Sequence, residues 1–473
     1  MKVYSKSFRI VSLGCAKNSV DSESMAQLLS SSGYRRVDQP GQAEVIVVNT
    51  CGFIGPAREE SLRALSELAA RKRKGQFLIA AGCLTQRYGA EVLHKVPGID
   101  GLLGTRRWMD ILEVVRRLRQ GQPPKPLYHL PEAPTVGQDA PGVMRVAVQG
   151  ASAYLKIADG CRRPCAFCAI PLIKGTAVSR PLEAILQEAR ALQEKGVREI
   201  ILIAQDTTDY GHDLGMKDGL ARLLEKLVAS APAIDWIRIL YAYPGYVTDR
   251  LIDVMAAHPQ VLPYLDMPLQ HAHPAALRRM RRPANIDWVY RTVERMRLAL
   301  PGLVLRTTFI VGYPGETEQE FQALLDFVQE MRFDRVGAFL FSFEPGTPSE
   351  TLGDPIPAQV KQERFERLMA LQQSISLEKN QALIGQTLEV LIEGHGVVES
   401  QSQALPGEVI SIGRSYRDAP EIDGLVFVEG RQPPGQFLPV RISGAMHYDL
   451  TGIVEPSWTA IGLPNVLTFH HGE

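Results

Sequence analysis

The sequence predicts an α/β protein in three parts: an N-terminal parallel-sheet α/β domain, a central partial TIM-like (β/α)6 barrel, and a small antiparallel C-terminal β-barrel, OB-like in size. Two observations predict this. Short runs rich in Val, Ile and Leu alternate with helical stretches over the first ~380 residues, as expected for strands covered on both faces. From about Gln381 the pattern turns to short alternating strands with Gly and Pro turns, the signature of a small barrel.

Taken in order, residues 1–125 hold three apolar runs, FRIVSLG, AEVIVVN and QFLIAAG. Helical stretches such as VDSESMAQLLSSSG and REESLRALSELAARKRKG lie between them. The run Arg71-Lys72-Arg73-Lys74 ends a helix before Gly75, where cations suit the helix dipole and solvent. Residues 126–142 read as an extended linker, in a stretch (121–142) with six prolines. Residues 143–380 show six candidate strands: AYLKIA, EIILIAQ, WIRILYA, PYLDMP, LVLRTTFIVG and VGAFLFS. Six βα units in this length suit a TIM-like barrel left open on one side. Residues 381–455 form the small barrel from TLEVLIE, EVISIG, GLVFVEG and FLPVRISG. Residues 456–473, with His470 and His471, form a frayed tail.

The 473 residues carry 45% hydrophobic and 22% charged residues, which excludes a largely disordered or fibrous chain. No run of 18 apolar residues exists, and the N-terminus MKVYSKSFRI lacks an apolar signal region, so a cytoplasmic protein is expected. Net charge is zero, but unevenly spread. Residues 1–120 hold 19 Lys/Arg against 11 Asp/Glu; residues 386–455 hold 4 against 10, net −6. The two ends therefore suit different partners.

Six cysteines in such a chain do not read as a disulfide framework. Cys161, Cys165 and Cys168 form a tight cluster in YLKIADGCRRPCAFCAIP. One loop after a strand can wrap three thiolates round a metal cluster at the carboxyl end of a barrel, where catalytic groups of such folds lie. Three thiolates on a four-iron cluster leave one iron without a protein ligand, and an open position is a reaction site. A structural zinc site is the alternative, but zinc wants four ligands and the next histidine is His212.

At these residues the chain resembles the radical S-adenosylmethionine (radical SAM) enzymes, with Phe167 at the aromatic position of C-x3-C-x-aromatic-C. The resemblance implies that the open iron chelates S-adenosylmethionine (SAM), whose one-electron cleavage yields a 5′-deoxyadenosyl radical. Such a radical takes hydrogen from an unactivated carbon, beyond the reach of acid–base chemistry.

Cys15, Cys51 and Cys83 are spread out, yet SLGCAKN, NTCGFI and AGCLTQRY each place the Cys just beyond a predicted strand. Parallel strands bring their carboxyl ends to one edge of a sheet, where ligands bind. Three thiolates converging on a second three-liganded cluster are therefore expected; buried free cysteines are the alternative. These words resemble the N-terminal domain of the methylthiotransferases. Together with the radical signature and a terminal barrel (the TRAM domain of that family), the resemblance spans nearly the whole chain. It implies two [4Fe-4S] clusters and two SAM molecules. The second cluster holds the sulfur, one SAM methylates it, and the other SAM activates the target carbon.

Known branches of that family modify a tRNA adenosine or an aspartate of small-subunit ribosomal protein S12. Three stretches resemble the protein-modifying RimO branch: YLKIADGC with IKGTAVSRP, YLDMPLQHAHPAALRRMRRP, and GRSYRDAPEIDG. The resemblance implies conversion of the aspartate to 3-methylthioaspartate; a tRNA adenosine 2-methylthiotransferase is the alternative. The acidic terminal domain favours a basic polypeptide over RNA, with Asp418, Glu421 and Asp423 expected to dock it. An ordinary charged turn is the alternative. A non-catalytic zinc-stabilised binding module is a third reading. The expected partners are S12, a flavodoxin or ferredoxin-type electron donor and a sulfur source; the expected state is a monomer.

SAM contacts beyond the cluster are expected from strand ends: Gln205 and Asp206 after EIILIA, Gln270 after PYLDMPL, and Arg306, Thr307 and Gly312 in LVLRTTFIVGYPGET. Tyr241 and Tyr243 in LYAYPG are candidates for the substrate wall, or core residues. His271 and His273 read as loop or cap residues, and the basic run 71–74 has ribosomal RNA as an alternative contact.

Overall fold

The computed structural model describes residues 5–121, 126–397 and 409–455; the expected tail at 456–473 lies outside them. In the first domain six parallel strands pair in the order Arg35–Arg36, Ser7–Ser12, Val45–Thr50, Phe77–Gly82, Gly101–Gly104, Leu127–His129. Val45–Thr50 is buried at every position, which explains its unbroken apolar run. Helices Ala16–Ser31, Gly55–Arg71, Cys83–Lys95 and Ile111–Arg119 cover the two faces, with separate cores on each.

Residues 126–142, expected as a linker, pack on the first domain. Leu127–His129 adds the sixth strand beside Gly101–Gly104, and Val136 is buried in the core of this domain.

The central sheet has seven strands. Six are parallel, ordered from Ser152–Lys156 through Glu199–Ile203, Trp236–Ile239, Val261–Asp266 and Val304–Val311 to Arg335–Leu340. Val146–Gln149 runs antiparallel along Ser152–Lys156. The first and last strands do not pair, so the barrel is open, as expected for six βα units. Helix Ala358–Gln381 lies along the last strand: its Gln372 amide donates to Phe333 O at 2.9 Å and its Asn380 amide to Met446 O of the terminal domain at 3.0 Å.

The terminal domain is a closed five-stranded barrel of Thr387–Val397, Val409–Ser415, Val426–Glu429, Leu450–Val454 and Phe437–Ala445. One pairing, Val426–Glu429 with Leu450–Val454, is parallel, so the barrel is not wholly antiparallel. Leu450–Val454 escapes a sequence reading because its inward Leu450 and Gly452 bury only one large side chain.

This barrel plugs the strand-starting end of the central one. Arg414 reaches Glu199 at 2.6 Å, and Glu199 also accepts from Arg238 at 2.8 Å, all three buried. Leu391 and Ala419 join Tyr154, Tyr264 and Val304 in the barrel interior.

Candidate active site

The first triad is built by three strand ends. Cys15 sits at the N-cap of helix Ala16–Ser31, Cys51 follows strand Val45–Thr50, and Cys83 begins helix Cys83–Lys95. Gly14 (φ +91) and Gly82 (φ +102) make the turns that aim the loops. A Cβ on Gly14 would meet Cys51 Cβ at 2.8 Å, so these two loops touch. Asn18 ties the strand ends together: its amide donates to Leu13 O at 2.9 Å and Thr50 O at 3.1 Å, and its Oδ1 lies 3.7 Å from Cys83 Sγ. The Ser61 hydroxyl donates to Cys51 O and accepts from Cys51 N, both at 3.0 Å. The sheet edge expected from the sequence thus brings the three spread cysteines together.

The second triad occupies the loop after Ala158–Asp159. Cys161 N donates to Gly175 O at 3.0 Å, Arg163 N to Cys161 Sγ at 3.4 Å, and Cys168 N to Cys165 O at 3.2 Å. Tyr243 Oη and Arg282 Nη1 lie 3.7 and 3.6 Å from Cys165 Sγ. The Tyr243 ring is held between the guanidiniums of Arg163 (4.6 Å) and Arg282 (4.1 Å). Arg163 is fixed in turn by Asp206 at 2.6 Å and by stacking on Tyr246 at 3.6 Å.

One cysteine of the first triad reaches the second triad's loop across the domain interface. Cys83 packs against Ala169 and Ile173, directly after Cys168. Beside them lies a buried ion cluster: Asp21 of the first domain with Arg145 (2.6 Å), Lys156 and Lys174 (3.1 Å), all three shared with Asp159. A second tie joins Glu344 of the barrel to Arg87 Nη1 at 2.7 Å and Gly55 N at 3.0 Å, behind the Cys51 loop.

Burial pushes the Cys83 and Cys168 thiols up to about 12, Cys161 to about 11, and raises Cys51. Such thiols give up their protons when a soft cationic group binds them. Among the described residues no three His, Cys, Asp or Glu side chains are close enough to cage a single ion. The donor set, two sulfur trios, fits iron–sulfur clusters that each keep one iron free of thiolate.

Other expected contacts sort differently. Gln205 Oε1 is buried at a strand end without a hydrogen-bond partner, a place for a ligand donor. Gln270 stands at φ +75 and bridges Phe309 through its backbone. Asp206 is taken by Arg163 and Thr208. Thr307 is buried, its hydroxyl donating to Met267 O at 2.9 Å and accepting from Leu269 N. Gly312 N is held by the Glu316 carboxylate, and a Cβ there would run into the Lys361 side chain. Phe167 packs with Met280, Tyr313 and Phe341.

Two expectations need correction. Arg306 lies low in its eight-residue strand, bound to Asp266 at 2.9 Å and Asp423 at 3.3 Å, away from the mouth. Asp418 and Asp423 are not a docking surface. Asp418 accepts from Arg335 at 2.6 Å and Asp423 from Tyr264 at 2.6 Å, inside the joint between the barrels. Cations at the strand starts draw these carboxylates in; Glu421 alone of the three is exposed, and it accepts from Gln149 at 2.9 Å. His271 is buried with Nδ1 accepting from Ala272 N and His273 N, while His273 caps Pro274–Arg279. Lys72, in the basic run, is paired with Asp100 at 2.7 Å. Arg163, Arg282 and Asn18 were not singled out by the sequence; all three stand inside motif words, CRRPC, RRMRRP and CAKN, beside the cysteines or the apolar turn that hold them.

A cavity of about 620 Å³ opens elsewhere, between Val136–Met144 and helix Leu182–Glu194, and its lining holds no cysteine. No helix among the described residues is long and apolar enough to cross a membrane.

Three family models match: the Radical SAM superfamily over residues 155–328, Uncharacterized protein family UPF0004 over 7–104, and the TRAM domain over 384–454. The chain is similar in fold to the radical SAM methyltransferase TsrM from Kitasatospora setae with cobalamin and a [4Fe-4S] cluster bound. That likeness has a TM-score of 0.54 and 13% identity, over 84% of this chain and 82% of that one. The chain is 51% identical over 456 residues to the ribosomal protein uS12 methylthiotransferase RimO of Chloroflexus aurantiacus, covering 94% of this chain and 99% of that protein. It is 48% identical over 461 residues to that of Roseiflexus sp., covering 94% and 96%. With its radical loop, its sheet-edge triad and its TRAM barrel in one frame, this chain belongs to the RimO family of radical SAM methylthiotransferases and is a transferase that uses an iron–sulfur cluster and SAM.

Proposed function

We propose that the chain converts an aspartate of ribosomal protein S12 to 3-methylthioaspartate with two [4Fe-4S] clusters, one on each triad, and two SAM molecules. The observation that carries this is the packing of Cys83 on Ala169 and Ile173, which sets the two sulfur trios on either side of one interface. Cys161, Cys165 and Cys168 hold the radical cluster; Cys15, Cys51 and Cys83 hold the auxiliary one. When bound, these groups supply one-electron cleavage of the SAM sulfonium, hydrogen abstraction from carbon, and the transferred sulfur.

The chain's own residues bind, orient and exclude water. Gln205 Oε1, a buried acceptor without a partner, accepts a hydrogen bond from the SAM ammonium. Arg163 and Arg282 clamp Tyr243 against Cys165 and fix the loop. Phe167 closes the apolar side with Met280 and Phe341. The Asp21 cluster holds the domains in one register, so that two separate sites serve one carbon.

The substrate reading is supported by relatives named for uS12 at 44–51% identity. Residues 386–455 hold only 4 Lys/Arg, few cations with which to neutralise phosphates, which disfavours the tRNA reading. A flavodoxin or ferredoxin-type donor, a sulfur source, a monomeric state and the cytoplasm complete the proposal. Reduced enzyme, SAM, sulfide and purified uS12 should together add one methylthio group to one aspartate, read by mass spectrometry. A group found on tRNA and never on uS12 contradicts it.

A further inference from the structure

Helix Ala16–Ser31 carries the first triad's Cys15 at its N-cap and lays Ala16 and Val20 into the central barrel's core. Lys17 therefore stands between the sheet edge and the barrel mouth. Its Nζ lies 3.1 Å from the centroid of the Tyr241 ring, on the loop after strand Trp236–Ile239. Tyr241 holds φ +64, a left-handed conformation that costs a non-glycine residue free energy and clusters at functional sites.

Three other cations at this junction are matched by carboxylates. Arg163 is paired with Asp206 and Asp209, Arg87 with Glu344, and Lys174 with Asp21 and Asp159. Arg282 donates to Cys165 and the Pro268 carbonyl, below the Tyr243 ring, and its buried Nε has no partner. Lys17 pairs with no carboxylate among the described residues and keeps part of its surface open. The Tyr241 face holds this ammonium in place and leaves it free to pair with an incoming carboxylate.

We propose that Lys17 binds the side-chain carboxylate of the substrate aspartate and so presents the adjoining carbon between the two triads. This rests on the substrate reading above and adds the group that recognises it. It also gives a reason for an acidic residue as target: its carboxylate is bonded to the carbon that reacts. A neutral amide at that place leaves the cation unmatched.

The test is binding of purified uS12 to iron-loaded, unreduced enzyme by fluorescence anisotropy, with uS12 carrying either aspartate or asparagine at the modified position. Wild-type enzyme should bind the aspartate form roughly tenfold or more tighter. Lys17→Met should bind both forms alike, at the weaker level, and Lys17→Arg should restore the preference. Iron content and circular dichroism of each variant report its fold, and the asparagine form of uS12 tests the idea on unaltered enzyme. Wild-type enzyme that modifies uS12 yet binds both forms equally overturns the role of Lys17, as does a Lys17→Met enzyme that still discriminates. Wild-type enzyme that leaves uS12 unmodified instead overturns the substrate reading, and this inference with it.

Discussion

Asp21, on the first helix of the sheet domain, and Lys174, at the end of the helix after the radical loop, lie 3.1 Å apart across the domain interface, both buried. Asp21 also serves Arg145 and Lys156, so one carboxylate answers three buried cations. Removing it leaves Lys156 and Lys174 to Asp159 alone, and Arg145 to Asp159 and Asp139. Asp21→Asn should therefore cost about 3–5 kcal/mol, the usual penalty for breaking a buried ion pair from one side. Thermal unfolding and limited proteolysis at the interface check this; an unchanged melting temperature contradicts it.

The same cluster sets an acid limit. Burial raises the Asp21 and Asp159 carboxyls, but Lys156, Lys174 and Arg145 outweigh it and hold both below the ordinary 3.8. A carboxyl whose folded value is depressed contributes stability that is whole above the unfolded value and is lost as pH falls. Stability should be flat in this contribution above about pH 5 and should drop below about pH 4. Chemical denaturation across roughly pH 3–6 should show that drop shrink in Asp21→Asn. A drop of equal size in both proteins contradicts the assignment.

Gly82 tests the sheet edge. A Cβ at this φ +102 position would clash with Asn49 Oδ1 and meet Thr50 O at 2.6 Å. Gly82→Ala should destabilise by about 1–3 kcal/mol and displace Cys83. Iron content after anaerobic reconstitution should fall toward half, because only the auxiliary triad is disturbed. Full iron loading would contradict the placement of Cys83 in that triad.

Asp418 separates docking from architecture. Its carboxylate accepts from Arg335 at 2.6 Å and from Ser415 at 3.0 Å, both buried. Asp418→Asn should lower stability by about 3 kcal/mol or more and loosen the terminal barrel toward protease. Unchanged stability with weakened uS12 binding would restore the docking role that the sequence suggested.

Much of this was legible in the residues. Six βα units and the terminal barrel follow from apolar period, and the place of each cysteine after a strand groups the six into two candidate trios. Gly101–Gly104 was missed because GLLG is too short and glycine-flanked to show a period. Leu127–His129 was hidden among prolines, and only pairing with a neighbour makes it a strand. Arg306 and Asp423 misled for a common reason. Sequence shows that a charge follows or begins a strand, but not which end of a barrel it faces once another domain supplies the opposite charge. Lys17 carried no signal of its own, since its meaning lies in Tyr241, which stands in a different domain far down the chain.

Mössbauer spectroscopy of anaerobically purified protein, wild type beside Cys51→Ala and Cys161→Ala, bears most directly on the two open trios. The wild type should hold roughly eight irons as two cubanes, each with one iron lacking a thiolate, and SAM should shift the unique iron of one cubane only. Each variant should retain roughly four irons; Cys161→Ala should release no 5′-deoxyadenosine, and Cys51→Ala should release it without methylthiolating uS12. A single cluster in the wild type, or two cubanes whose irons are all thiolate-bound and indifferent to SAM, would contradict the account.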